Sequence, residues 1–417
     1  GDEEIIQNEQ AYEQLLKEYD AKQETFKNEG GFVYEAEIKS VLNGLNFQDY
    51  DFTTPISQLS GGQKTRLALG KLLLSKPDIL ILDEPTNHLD ISTLDWLENY
   101  LQSYKGSVVI VSHDRYFLDK TVNIVYEIAF QTSKKYHGNY SKYLQLKAEE
   151  YERNKKLYEK QQSEVKRLEE FIQRNIARDS TTKRAQSRRK QLERMELMDK
   201  PQLDNQSAKF SFRINRQSGN DVLHIQDLAY RYPNSNKNIF EHVHLMVHRG
   251  DRIALVGPNG IGKSTLLKNI VGILKPSHGT IQYGTNVQIG YYDQEQGNLS
   301  NDKTVLQALW DDVLKSVASL SGGEKARLVL AKLMLENANL LIMDEPTNHL
   351  DLDSKEVLEA ALIDFPGTII FVSHDRFFIN RIATTVFEMT PEGTTKYLGN
   401  YDYYMEKKQE EQELENL

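Results

Sequence analysis

The 417-residue sequence contains no cysteine. Disulfide bridges and thiolate metal sites are thereby excluded, and the composition fits a reducing, cytoplasmic setting. Equally absent is any apolar run near the ~18 residues that a membrane span needs. The longest apolar stretches, such as Ser107-Val-Val-Ile-Val111 and Thr368-Ile-Ile-Phe-Val372, have the length of buried strands. The expectation is a chain with no stable membrane insertion, unable to form a transport pore alone. No secretory signal stands at the start. The opening Gly-Asp-Glu-Glu has no methionine, so the true N-terminus is expected to lie upstream. An excess of positive charge is also lacking: 51 Lys and Arg are outnumbered by 61 Asp and Glu, and the net charge of −10 argues against nonspecific nucleic-acid binding by the chain as a whole. What is plentiful is length, which points to two or three domains.

Duplication is the strongest organisational signal. Leu59-Ser-Gly-Gly-Gln63 recurs as Leu320-Ser-Gly-Gly-Glu324, and Leu82-Asp-Glu-Pro-Thr-Asn-His-Leu-Asp90 as Met343-Asp-Glu-Pro-Thr-Asn-His-Leu-Asp351. Val111-Ser-His-Asp-Arg115 recurs as Val372-Ser-His-Asp-Arg376, and Gly138-Asn-Tyr140 as Gly399-Asn-Tyr401. Each pair is 261 positions apart, so the repeat has no gap across these motifs. The copies differ upstream. Only the second has a glycine-rich phosphate loop. The first begins with an acidic, helical stretch from Glu9 to Glu29 and the run Tyr34 to Phe47. The second offers no counterpart of Val41-Leu-Asn-Gly-Leu-Asn-Phe47 before Leu320. Two absences are expected: a nucleotide-binding subdomain before Gly1, and a helical segment near 311–313.

The segment Gly257-Pro-Asn-Gly-Ile-Gly-Lys-Ser264 fits G-x-x-x-x-G-K-[ST] in full. It follows a strand-like run, Arg252 to Val256, and precedes a helix-like one, Thr265 to Ile270. Glycines let backbone N–H groups curl around phosphate oxygens, and the helix N-terminus favours negative charge. Lys263 is placed to reach the β- and γ-phosphates of ATP and Ser264 to ligate Mg²⁺. The plain alternative is a glycine-rich turn. Leu340-Leu-Ile-Met-Asp-Glu345 reads as a buried strand ending in two acids, which need a cationic partner there. Asp344 suits a Mg²⁺ shell, and Glu345 suits a base for the attacking water. Asp83 and Glu84 repeat the pair. His374 and His113 each follow an apolar strand and are candidates for a γ-phosphate contact, against the alternative of a structural histidine. Ser60-Gly-Gly-Gln63 and Ser321-Gly-Gly-Glu324 have capping-box spacing. Capping leaves the central pairs Gly61, Gly62 and Gly322, Gly323 unexplained; these would let a second phosphate approach a helix N-terminus.

In this order the motifs resemble those of the ABC ATPase superfamily. The resemblance implies an α/β fold with two P-loop cassettes that pair head to tail, within the chain or between chains. Each ATP then lies between one cassette's phosphate loop and the other's signature. It implies one nearly complete site: Gly257, Pro258, Asn259, Gly260, Ile261, Gly262, Lys263, Ser264 and Thr265, with Gln294, Asp344, Glu345 and His374, facing Ser60 to Gln63. It also implies that Tyr232 stacks on adenine, where core packing is the alternative, and that Gln294 senses Mg²⁺ and water. The second site has Asp83, Glu84 and His113 facing Ser321, Gly322, Gly323 and Glu324. Lacking a phosphate loop, it is not expected to hold ATP.

Between the copies lies a segment of different character. Leu144, Ala148, Tyr151, Tyr158, Val165, Leu168, Ile172 and Ile176 mostly follow 3–4 spacing, with Lys155 and Gln162 as interruptions. The spacing resumes at Ala185, Arg189, Leu192 and Met195. Two helices forming an antiparallel hairpin are predicted, with the chain leaving the second at Pro201. The charge gathers at the turn. Arg174, Arg178, Lys183, Arg184, Arg188, Arg189, Lys190 and Arg194 face only Asp179 and Glu193, a local net of +6 that leaves −16 on the rest of the chain. One-sign clustering on an acidic protein points to a phosphate backbone, against a bland solvated hairpin.

Two cassettes with a basic helical linker resemble the ABC-F family, and a bacterial branch of it in particular. That resemblance implies a ribosome-associated ATPase whose linker contacts tRNA or rRNA. The expected division is a first cassette over 1–140, a linker over 141–204, a second cassette over 205–404 and a charged tail over 405–417. A transporter's ATP-binding subunit is the alternative, for which the basic hairpin is superfluous. A chromosome or repair ATPase ranks third, since such proteins carry far longer coiled coils.

Overall fold

The structure is a computed structural model that describes residues 9–28, 31–48, 53–87, 89–129, 131–175, 179–200, 211–233, 237–293, 322–348, 350–391 and 393–415. The chain forms two compact units. One comprises Gly1–Ser112 with Gly257–Gly260, and the other His113–Val256 with Ile261–Leu417.

The first unit contains α1 (Glu9–Asn28), α2 (Tyr34–Gly44), α3 (Gly61–Leu74), β1 (Ile79–Asp83), α4 (Ile91–Gln102) and β2 (Ser107–Val111). Its core forms where α2 and its C-terminal turn bury Val41, Leu45 and Phe47 against Leu67, Trp96 and Tyr100. Helix α3 starts at a reciprocal cap: Gln63 N–H donates to Ser60 Oγ at 3.3 Å and Ser60 N–H to Gln63 Oε1 at 2.7 Å. Helix α4 starts at Asp90, whose carboxylate accepts from Thr93 N–H. Strands β1 and β2 pair in parallel, Ile79 opposite Ser107 and Asp83 opposite Val111. Only alternate residues of β1 are buried.

In the second unit, α5 (Arg115–Thr121), the hairpin β3 (Ile124–Ala129) and β4 (Thr132–His137), and the long helices α6 (Tyr140–Asn175) and α7 (Asp179–Glu193) come first. Gln161 of α6 donates to Glu196 O at 2.8 Å and accepts from Met198 N–H at 2.8 Å, so α7 returns antiparallel along α6. The inward stripe on α6 runs Tyr151, Asn154, Tyr158, Gln161, Val165, Leu168 and Ile172, while Leu144 and Lys155 are exposed. The seam thus admits Asn154 and Gln161 rather than breaking at Lys155. On α7, Ala185 is buried, but Arg189 points outward and pairs with Glu193 at 3.0 Å. The helix also ends at Glu193, well before Pro201.

The rest of this unit is a layered α/β fold. Strands β5 (Asp221–Tyr230), β6 (Phe240–His248) and β8 (His278–Tyr283) make an antiparallel sheet in the order β6-β5-β8. A six-stranded sheet takes β7 (Arg252–Val256), β9 (Ile289–Tyr292), β10 (Leu340–Asp344), β11 (Thr368–Val372), β12 (Thr385–Thr390) and β13 (Gly393–Tyr397). Its order is β13-β12-β7-β11-β10-β9, parallel except for the β12–β13 pair. Every residue of β10 and β11 is buried, as their apolar runs Leu340–Met343 and Ile369–Val372 require. Ile253, Leu255, Leu340, Ile342, Ile370 and Val372 share one core with Leu266, Leu267 and Ile270 of helix α8 (Lys263–Val271). Helices α9 (Gly322–Leu335), α10 (Leu352–Ile363), α11 (Arg376–Ile382) and α12 (Tyr401–Glu415) complete the unit.

Candidate nucleotide site

Parallel strands carry their connecting loops to one sheet edge, and ligands gather beyond the carboxyl ends. The second repeat puts its candidate residues at that edge. The loop after β7 holds Gly257, Gly260 and Gly262 at φ of 146°, 84° and 106°, conformations that favour glycine and turn N–H groups inward. Lys263 follows as the first residue of α8 and is buried, 6% exposed. Ser264 Oγ donates to Asp344 Oδ1 at 3.1 Å. This hydroxyl–carboxylate pair is the donor set a hard divalent cation prefers. Among the described residues, no group of three or more His, Asp or Glu side chains forms a metal cage. The fit is therefore to an ion that takes Ser264, Asp344 and oxygens of a phosphate ligand. Burial pushes the Asp344 carboxyl up, opposed by the Ser264 bond.

Glu345 follows β10 in a left-handed conformation, φ 50°, with its N–H donated to Val372 O at 2.9 Å. That strained turn directs a buried carboxylate toward the next loop. Glu345 Oε2 accepts from His374 N–H at 3.3 Å, and His374 Nε2 lies 3.5 Å from Oε1. Burial first, and then the neighbouring Asp344 charge, push the Glu345 carboxyl up to about 8, with Lys263 opposing. Its ionised form is therefore a stronger base than an ordinary carboxylate, suited to accept a proton from water, and Lys263 favours that form. Tyr232 is 43% exposed and shares a hydrogen bond of 3.2 Å with Thr265 Oγ1. Its ring and that of Tyr230 stand nearly perpendicular, with centroids 5.1 Å apart.

The structure thus gathers Lys263, Ser264, Thr265, Asp344, Glu345, His374 and Tyr232 around one edge. In the first repeat, Glu84 adopts the same turn, φ 46°, with its N–H on Val111 O at 2.8 Å. Asp83 beside it is exposed; among the described residues β1 pairs with β2 alone, whereas β10 is flanked on both sides. Ser60 spends its hydroxyl on the helix cap, yet the space beside Gly61 is open. Asn259 N–H donates to Asp90 Oδ2 at 3.2 Å. Burial opposes ionisation of Asp90, but bonds from Thr93, Asn259 and Ser92 hold its carboxyl below the ordinary value. Gly322, Gly323 and Glu324 open α9. Gln294, Ser321, Arg178 and residues 311–313 lie outside the described residues. Arg174, Lys183, Arg184, Arg188, Lys190 and Arg194 are exposed on α6, α7 and the turn that follows.

The motif reading overlooked the residue after each histidine. Asp114 and Asp375 cap α5 and α11, accepting from Phe117 and Phe378 N–H at 3.0 Å each. The sequence signal was present: an acid directly ahead of an amphipathic seven-residue run.

An ABC transporter family profile matches residues 3–87, 240–309 and 299–348, and an extension profile of the same description matches 126–212. The chain is 61% identical to the putative ATP-binding protein YdiF of Bacillus subtilis, over 97% of its own length and 66% of that protein's. It is 38% identical to ABC transporter F family member 2 of Arabidopsis thaliana, over 97% of the chain and 63% of the relative. The chain belongs to the ABC-F family. It spans about two thirds of the length of these two relatives. In fold it resembles the archaeal ribosome recycling factor aABCE1, solved with the stalk protein aP1: TM-score 0.58, 20% identity, 84% of this chain and 65% of that one. Among the described residues, no helix of this ABC-F chain is long and apolar enough to cross a membrane.

Proposed function

We propose that the protein is a cytoplasmic ATPase that acts on the ribosome, with α6 and α7 reaching tRNA or rRNA. The observation that carries the ATPase reading is the meeting of Ser264 with Asp344 and of Glu345 with His374 at one sheet edge. Lys263 and the loop N–H groups hold the β- and γ-phosphates. Ser264 and Asp344 hold Mg²⁺, which offsets phosphate charge. Glu345 takes the proton from the attacking water, and His374 meets the γ-phosphate. Tyr232 stacks on the base. On the motif order in the sequence, Ser60–Gln63 completes this site head to tail, and Ser321–Glu324 serves the site of Asp83, Glu84 and His113. The division at 140, 204 and 404 is part of the same reading.

The ribosome assignment rests on the excess of positive charge between Phe171 and Arg194 in an acidic chain, and on family membership. It is tested in the full-length protein carrying Glu345→Gln and Glu84→Gln. Hydrolysis is expected to fall by about 10²-fold or more, and the variant to pellet with ribosomes in ATP. A variant that stays in the supernatant at every ATP concentration defeats the ribosome reading. Recovery with a membrane protein instead supports a transporter subunit.

A further inference from the structure

The loops after β2 and β11 carry His113-Asp-Arg115 and His374-Asp-Arg376, and they meet within the second unit. The Arg115 guanidinium lies 4.9 Å from the Phe377 ring, and that of Arg376 lies 4.2 Å from the Tyr116 ring. Arg115 also donates to Leu352 O at 3.1 Å and approaches Glu356 and Glu359 at 3.3 and 3.6 Å. This reciprocal packing buries Asp114 and nearly buries Asp375, so two like charges face each other away from water. Such an arrangement needs a cation.

Arg376 supplies positive charge beside Asp114, and Lys355 of α10 supplies it at Asp375. Its ammonium donates to Asp375 Oδ2 at 3.0 Å and to the carbonyl oxygen of His113 at 3.0 Å. The residue is 8% exposed. Here the repeat symmetry fails: the position 261 earlier is Leu94. Packing therefore does not demand a charge, since an apolar side chain fills the equivalent place. One atom contributed by one repeat holds the backbone of one histidine and the immediate neighbour of the other.

We propose that Lys355 is a positioning residue that couples the two histidine loops. It rests on the ATPase reading above, in which His374 meets the γ-phosphate of one site and His113 belongs to the other. Hydrogen bonds lose their strength within a few tenths of an ångström beyond about 3 Å. A displacement of the His374 loop must then drag the ammonium, and with it the carbonyl of His113, or break the bridge. Information passes through one side chain rather than through a rearranged core.

The test uses the full-length protein with histidine-selective NMR, the two signals being assigned through His113→Gln and His374→Gln. Lys355→Met is expected to move the signals of both His113 and His374 without nucleotide, and to lower ATP turnover on the order of tenfold. Lys355→Arg, which keeps the charge, is expected to retain most of the turnover. The pair Lys355→Met with Asp375→Asn leaves no carboxylate facing a lost partner. It is expected to regain thermal stability but not turnover, because the bond from residue 355 to the His113 carbonyl is still broken. Should Lys355→Met leave either histidine signal in place, or the double variant regain turnover together with stability, Lys355 only neutralises buried charge and the coupling role falls. Where Lys355→Met does not fold, Lys355→Arg and the double variant decide. If the wild type turns over no ATP, the functional reading fails, while the histidine signals still report on the bridge.

Discussion

At the scale of single residues, the chain concentrates its unusual chemistry in buried carboxylates beside strand ends. Asp114 illustrates the energetic consequence. Burial, and then the charge of Asp375, push its carboxyl from 3.8 up to about 6. Between those values the folded protein holds a proton that the unfolded chain has released, so stability falls as pH rises through the window. Asp114→Asn keeps a helix-capping side chain and removes the charge. It is expected to stabilise the fold by about 1–3 kcal/mol at pH 8 and to have little effect below pH 4. Urea unfolding at the two pH values measures the difference. An exposed site gives a second test. The hydrogen bond to Asp227 at 2.6 Å holds the His242 imidazole above its ordinary value. NMR titration of Asp227→Asn should show the imidazole losing its proton at lower pH than in the wild type. Residues of this kind differ in how visible they are in the sequence. Asp344 and Glu345 announce themselves as acids closing an apolar strand. Lys355 does not, because its partners are 242 and 20 positions away and nothing local marks it.

Among elements, α6 and α12 share one anchoring device. Tyr143 donates to Glu127 at 2.9 Å, and Lys147 pairs with Glu127 at 2.5 Å. In the second copy Tyr404 donates to Glu388 at 2.9 Å, and Lys408 pairs with Glu388 at 2.9 Å. Tyr136 and Tyr397 on the hairpin strands complete each cluster, reaching Glu150 and Glu411 respectively. Tyr404→Phe leaves the buried Glu388 short of a donor and is expected to cost about 1–3 kcal/mol. The loss should appear as faster amide exchange along α12 with β12 still protected. For α7, replacing Lys183, Arg184, Arg188 and Lys190 with Gln is expected to weaken RNA binding. The salt slope should shrink by about 0.7–0.9 for each phosphate no longer neutralised, read by filter binding across a salt series. The hairpin itself was legible from apolar spacing, whereas its register was not. Apolar spacing passes over Asn154 and Gln161, and only the bonds at Glu196 and Met198 show why a polar side chain sits inward.

Across the whole molecule, one sequence pattern meets two environments. Ile342 lies in a six-stranded sheet with no exposure, while its repeat counterpart Ile81 on the β1–β2 pair is 68% exposed. Lysine at each position separates the two. In the 417-residue polypeptide, Ile81→Lys is expected to change stability by less than about 1 kcal/mol and to lower binding of a hydrophobic dye. Ile342→Lys is expected to cost more than about 4 kcal/mol. Denaturation and dye fluorescence of the two variants check the contrast. Gapless repetition made the cassette fold readable, since β-strand and histidine motifs recur at one offset. Burial was not readable, because strands as alike as Ile79-Leu-Ile-Leu-Asp83 and Leu340-Leu-Ile-Met-Asp344 are bare or covered according to what packs beside them.

Helix α6 also has mechanical consequences. Its 36 residues form a rod of about 54 Å, clamped near Tyr140 and Tyr143 and carrying Arg174 in its last turn. A turn of about 10° at the clamp would sweep that end through roughly 9 Å on the same rise per residue. The tyrosine–glutamate clamp is thus a fulcrum. Its stiffness would set how faithfully a small adjustment at the root is geared up into a larger displacement at the far end.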